Sequence, residues 1–437
     1  MEFDTILRRG RVAGREHELL DIGVRDGRIE AISPPEIISP DAARDVPIDG
    51  RLLIPGFVES HIHLDKSCIS DRCTCRTGTL KEAIESVAAA KLGFTEDDIV
   101  ARGSYTLEKA IVQGTTRMRA HVEIDPRIGL KGFRAVSRLK RDYAFAVDIE
   151  ICAFPQEGLL NDPGCDELLV EACEAGADLI GGCPYTDSDP YGQIARIFEL
   201  AKRYDVDIDF HLDFDLDPSW MHLDEVCRQT ETRGWGGRVA VGHVTKLSAM
   251  DAASLAAVAR RLADAGVAVT VLPATDLFLM GRGAEHSVPR GVAPAHRLLE
   301  HGVTCSLATN NVLNPFTPFG DCSLSRIANL YANIAQAGRP DELRASFEMV
   351  TALPAKLMNL TDYGIAIGNP ADIVVLDCAS REAAVAELAQ PLLALKRGRL
   401  SFSRPLATIN WPAAQALGEV RMDSSATTGV GPGVDRS

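Results

Sequence analysis

The feature that most limits the fold is a regular alternation between residues 56 and 361, in which eight short apolar segments are each followed by a helical pattern. The segments are "GFVESHIHLD", "RMRAHVEID", "AVDIEICAFPQEG", "ADLIGGCPY", "VDIDFHLDFD", "RVAVGHV", "VAVTVLP" and "VTCSLATNN". Stretches such as "DELLVEACEAG", "IARIFELAKRYD" and "DAASLAAVARRLADAG" lie between them and repeat apolar residues at helical spacing. Near-continuous apolar strands suit a parallel sheet covered by helices. Eight βα units over this length predict an α/β fold of the (β/α)8 TIM barrel type. An open doubly wound sheet is the alternative, but it carries fewer strands as a rule and no glycine phosphate loop is present.

The flanks read differently. Residues 1–55 hold alternating strands with the turn "RDG", and residues 362–420 hold "ADIVVLD" and a hairpin with "KRG" at its tip. Together they predict a small β-sandwich domain built from both termini, while the Gly-rich residues 421–437 predict a disordered tail. The net charge of −15 argues against nucleic acid or an anionic membrane as partner, and no apolar run is long enough to span a bilayer. Eleven cysteines with no secretory leader read as reduced thiols in a cytoplasmic protein. Cys68, Cys73 and Cys75 have no second pair at metal-knuckle spacing and are expected to be incidental loop residues.

Chemistry concentrates at the strand ends. His61 and His63 are two apart on one strand, so they share a face. Two neutral imidazoles crowded at a strand terminus need a common cation or several partners to offset desolvation. His121, His211 and His243 end three other segments, and a barrel brings such ends together. His61, His63 and His211 make a three-histidine metal site with open positions, and His243 either binds the metal or bonds the water or substrate. His17, His222, His286, His296 and His301 fall in hairpins, loops or helices and read as surface residues, His286 being the one to watch.

These segments resemble the amidohydrolase superfamily, and its cytosine deaminase branch in particular. "PGFVESHIHLDKS", "AFPQEGLL", "EAGADLIGGCPY", "LAKRYDVDIDFHLD" and "TDYGIAIGNPADIVVLD" carry the likeness over most of the chain. The resemblance implies a (β/α)8 barrel with a terminal β-sandwich and one divalent metal ion, zinc or iron, with manganese also suited to such ligands. It implies metal ligation by His61, His63, His211 and an eighth-strand residue, here Asn310. It assigns His243 to the attacking water and Gln156 to the ring amide of the substrate. The absence of a lysine in "ADLIGGCPY" implies one metal rather than two.

Two positions depart from the family pattern. Its eighth strand carries tandem aspartates where this chain has Asn310 and Asn311. Asn310 can still offer a carbonyl oxygen, and a site with one negative charge fewer acidifies a bound water more strongly. Asn311 is assigned to the substrate. The glutamate expected three residues after the fifth-strand histidine is Phe214, which leaves Asp213 and Asp215 as candidates for the acid/base. The same two aspartates also suit a loop or a helix cap before "DPSW", and the residues alone leave both readings open. Asp276 and Arg282 in "TDLFLMGR" either recognise a polar substrate edge or brace their loop as a pair. Lys66 either faces the cavity or pairs with Asp65 or Glu59. Phe214, Trp220, Phe278 and Phe316 offer an apolar wall for a flat ring.

The expected function is metal-dependent hydrolysis of a C–N bond in a small nitrogen heterocycle by a homo-oligomeric enzyme. Two alternatives stand beside it, an amidase or cyclic-amide hydrolase releasing a carboxylate and a metal-free binding homologue without chemistry. Products separate the first alternative, and metal analysis separates the second.

Overall fold

Strands buried on both faces need helices outside and packed side chains inside, and that is what the apolar segments build. The computed structural model describes residues 3–38 and 42–410. Eight strands form a parallel sheet in chain order: β1 (Phe57–Ile62), β2 (Thr115–Glu123), β3 (Asp148–Phe154), β4 (Leu179–Gly182), β5 (Asp207–Leu212), β6 (Val239–His243), β7 (Val267–Val271) and β8 (Cys305–Leu307). Every residue of β1 and β2 is buried. The sheet curls into a nearly closed barrel. Asn310, just past β8, donates its N–H to the His61 carbonyl at 2.8 Å and accepts the His63 N–H at 2.9 Å. Ser60 Oγ and Ser306 Oγ are 2.9 Å apart across the same seam. The seam that shuts the barrel therefore runs beside the first-strand histidines.

The intervening helices follow ordinary rules of capping and patterning. In Ala252–Ala265 the Asp251 carboxylate accepts from Ala253 and Ser254, Leu255, Ala259 and Leu262 turn into the core, and Gly266 ends the helix at φ 68°. The stretch "PAHRLLEHG" yields only Ala295–Leu299.

The terminal segments join in one sheet. Phe3–Val12, Arg15–Arg25, Arg28–Ser33, Ala42–Pro47 and Leu52–Ile54 come from the N-terminal side, and Ile373–Leu376, Pro391–Lys396 and Arg399–Ser403 from the C-terminal side. Leu52–Ile54 pairs antiparallel with Ile373–Leu376 and so unites the two ends. The hairpin turns fall where their sequence places them, with positive φ at Asp26–Gly27 and at Arg397–Gly398. All eight strands are hydrogen-bonded into one continuous sheet drawn from both termini. Lys396 ties it to the barrel, its buried ammonium bonding Asp372 at 2.6 Å, Asp148 at 2.8 Å and the Thr116 carbonyl at 3.0 Å. Residues 411–420 of the expected terminal domain and the whole 421–437 tail lie outside the described residues. No helix among the described residues is long and apolar enough to cross a membrane.

Candidate active site

His61 on β1, His63 just past its end and His211 at the end of β5 converge as the period-two pattern requires. His61 Nε2 lies 3.1 Å from His211 Nε2, which lies 3.2 Å from His63 Nε2. His63 Nδ1 faces the His121 carbonyl at 3.2 Å, an acceptor only, so Nδ1 carries the proton and Nε2 presents its lone pair. A proton on His211 Nε2 would satisfy one neighbour and leave the other facing it lone pair to lone pair. A shared cation satisfies all three. Nitrogens each about 2.0–2.1 Å from a tetrahedral ion stand roughly 3.3 Å apart, close to the spacing found. Burial, reinforced by neighbouring positive charge, holds all three histidines well below the ordinary imidazole pKa, so they are neutral donors.

Asn310 stands at φ 62° on the seam, and its Oδ1 is buried with no hydrogen-bond partner. An orphaned buried carbonyl on a residue whose backbone is bonded to both His61 and His63 fits a divalent ion better than it fits a closed hydrogen-bond network. Asn311 is also buried, and its Oδ1 accepts from Asn314 Nδ2 at 2.7 Å. Gly242 gives His61 its room, since a Cβ there would stand 3.3 Å from His61 Cε1.

His243 ends β6 at φ 70°. Its ring stacks on Phe214 with centroids 3.7 Å apart and planes 24° apart. Its Nδ1 lies 2.6 Å from Asp276 Oδ1, and the other Asp276 oxygen accepts the Leu272 N–H at 3.2 Å. Burial raises the pKa of the Asp276 carboxyl, opposed by His243. Asp276 was expected to meet a polar substrate edge or Arg282. Both its oxygens are engaged elsewhere, and Arg282 instead bonds the Phe278 carbonyl and covers that ring.

A second polar group lies beside the histidines. Lys66 is buried, and its ammonium bonds Glu123 at 2.7 Å and Gln156 Oε1 at 3.2 Å while lying 4.3 Å from the Phe316 ring centroid. The ammonium pairs with neither Glu59 nor Asp65, whose carboxylate accepts the Lys66 backbone N–H at 2.9 Å. The Gln156 amide nitrogen lies 3.4 Å from Cys183 Sγ. Behind them Lys91 is surrounded by Glu123, Asp125 and Glu157. Lys91, Glu123 and Asp209 are not among the residues singled out from the sequence, although one signal points to two of them. Glu123 and Asp209 are each two residues from a histidine on the same strand, and Asp209 bonds the buried Arg119 at 2.9 Å.

Asp213 is engaged in a helix cap and Asp215 in its loop. The Asp213 oxygens accept the N–H groups of His222 and Leu223 at 3.0 Å each, at the start of helix Leu223–Arg233. Asp215 is half exposed and lies 3.2 Å from Lys246. His222, read as a surface residue, is buried at this cap, whereas His286 is exposed. Of the four aromatics offered as a wall, Phe214 is buried against His243 and Phe316 is buried beneath Lys66, while Trp220 is exposed and covers Lys246.

Comparison with known proteins matches a family model described as the amidohydrolase family to residues 140–402. The chain is 27% identical to the N-isopropylammelide isopropyl amidohydrolase of Pseudomonas sp. (strain ADP) over 409 residues, covering 91% of this chain and 97% of that protein. It is 28% identical to the pterin deaminase of Rhizobium rhizogenes over 360 residues, 81% of each chain. The structure of 5-methylcytosine deaminase from Klebsiella pneumoniae liganded with 5-fluorocytosine superposes with a TM-score of 0.89 at 29% identity, covering 93% of this chain and 100% of that one.

Proposed function

Because the chain belongs to the amidohydrolase family, in its cytosine deaminase-like branch, and is therefore a hydrolase of C–N bonds, we propose that it removes an amino or alkylamino group from a small nitrogen heterocycle. His61, His63, His211 and Asn310 would hold one divalent ion, with zinc, iron and manganese all suited to nitrogen and oxygen ligands. The observation that carries this reading is the convergence of three Nε2 lone pairs within 3.2 Å steps of one another, with an unpartnered Oδ1 on Asn310, whose backbone bonds His61 and His63. When bound, such an ion acts as a Lewis acid and lowers the pKa of water.

The chain's own residues supply the rest. Gln156 presents its amide to the ring edge of the substrate, steadied by Lys66 on its oxygen. Phe214 and Phe316 enclose a flat ring and exclude water. Asn311, anchored by Asn314, orients the substrate from the β8 side. His243 faces the reacting carbon and handles the proton, because Asp213 and Asp215 are committed to a helix start and a lysine. The relatives named for isopropylammelide, pterin and 5-methylcytosine point to the same class of ring.

A second reading has one observation behind it. Phe214 stands where the family places a ring-protonating acid, which favours hydrolysis within a cyclic amide, where that acid is not needed. Protein reconstituted with zinc or iron and offered aminopyrimidines, alkylaminotriazines, pterins and lactams separates the two. Release of ammonia or an alkylamine supports the proposal. Ring-opened carboxylates from lactams without amine release would replace it with the second reading.

A further inference from the structure

We propose that Asp276 is a positioning residue that fixes the tautomer of His243, so that a carboxylate following β7, rather than one at position 310, acts in this site through the imidazole at the end of β6. The inference rests on the hydrolytic reading above. His243 and Asp276 are both buried, 2% and 0% exposed, and their 2.6 Å contact involves the ring nitrogen Nδ1. A carboxylate accepts, so Nδ1 carries the proton and Nε2 is left with the lone pair. Two further contacts restrain the pair. Phe214 stacks on the imidazole face at 3.7 Å, and the Leu272 N–H holds the second Asp276 oxygen at 3.2 Å. His243 can then turn neither about its long axis nor out of plane without losing a buried contact. Its ring centroid lies 5.7 Å from that of His211 and 6.1 Å from that of His61, within reach of a water lodged among them.

The proton balance closes within this pair and the reactants. Nε2 takes a proton from the attacking water as the C–O bond forms and the ring C=N π pair moves onto the ring nitrogen, from which it re-forms the C=N bond when the amine departs. The C–N bond then breaks with its electron pair going to nitrogen, and Nε2 returns the proton to the departing amine. Asp276 gains no proton; it stabilises the imidazolium between the two transfers, as a buried carboxylate does behind a catalytic histidine.

Asp276→Asn tests this sharply because of the Leu272 N–H. That donor requires the amide oxygen, so the amide NH2 must face Nδ1 and force the proton to Nε2. In 15N-histidine-labelled, metal-free protein, the unsubstituted chain is expected to show His243 protonated at Nδ1, and D276N to show it protonated at Nε2. Loaded D276N is expected to lose about 100-fold or more in kcat with KM within about threefold. The double variant with His243→Asn should be no slower than His243→Asn alone, since both act through one imidazole. A lone pair at Nδ1 in the unsubstituted protein overturns the inference, as does a folded D276N with undiminished kcat or a double variant whose losses multiply. A chain without turnover on any heterocycle counts against the proposed function instead, and the tautomer measurement then decides the inference alone.

Discussion

Asp213 shows how a single carboxylate can suit two roles when only its neighbours in the chain are known. Two residues past His211 it shares the strand's inward phase in the sequence, yet its φ of 49° turns the chain off the sheet. Its two oxygens then satisfy the first N–H groups of the next helix. Burial raises its pKa to about 6, against the two backbone donors and Lys246. Asp213→Asn keeps one of the two acceptors and is expected to cost about 1 kcal/mol of stability in urea unfolding while leaving turnover within a few-fold. A loss of turnover of 100-fold at preserved stability would make it the proton carrier. The residue scale was otherwise well marked in the sequence. His61, His63 and His211 announce themselves by spacing and by ending apolar segments. Asp276 was visible only as a candidate, because its role depends on His243, 33 residues away in the chain, and on a contact that no local pattern encodes.

At the level of elements, the ends of β2 and β3 and the turn at Lys91 carry a buried charge network. Glu123 lies between two ammoniums: burial opposes its charge, but Lys66 and Lys91 hold its pKa down to about 2. Lys91 faces three carboxylates, an excess of negative charge about one ammonium, and Lys66 and Arg127 pair with Glu123 and Asp125 but not with Glu157. Glu157 bears the excess, its pKa raised to about 7 by burial and by the nearby Glu123. Between the unfolded carboxyl value of about 4.3 and this folded value, the native state binds more protons than the unfolded chain. Stability contributed by this group is therefore present at low pH and is lost as pH rises through about 7. Glu157→Gln should flatten that part of the profile, measured as the difference in urea midpoint between about pH 5 and pH 8 for variant and parent. Identical slopes would show that the carboxyl is ionised throughout. Strand existence and order at this scale were legible from βα alternation, because a strand buried on both faces has to be apolar. The ion network was not, since pairs such as Lys91 with Glu157 lie 66 residues apart and meet only when the barrel closes.

For the whole molecule, closure of the barrel and assembly of the candidate site are one event. The seam bonds of Asn310 hold the end of β8 against His61 and His63, and His211 arrives from the opposite side of the sheet order. The (β/α)8 reading followed from counting segments, whereas the single continuous terminal sheet depended on the pairing of Leu52–Ile54 with Ile373–Leu376, more than 300 residues apart. The account's central claim is that this closure gathers three imidazoles around one cation. Elemental analysis by mass spectrometry, on protein grown with zinc and iron and dialysed against metal-free buffer, tests it most directly. The account predicts about one divalent ion per chain, lost in a folded His211→Ala variant. A folded, metal-replete parent that retains no ion, or a His211→Ala variant that retains it fully, would contradict it.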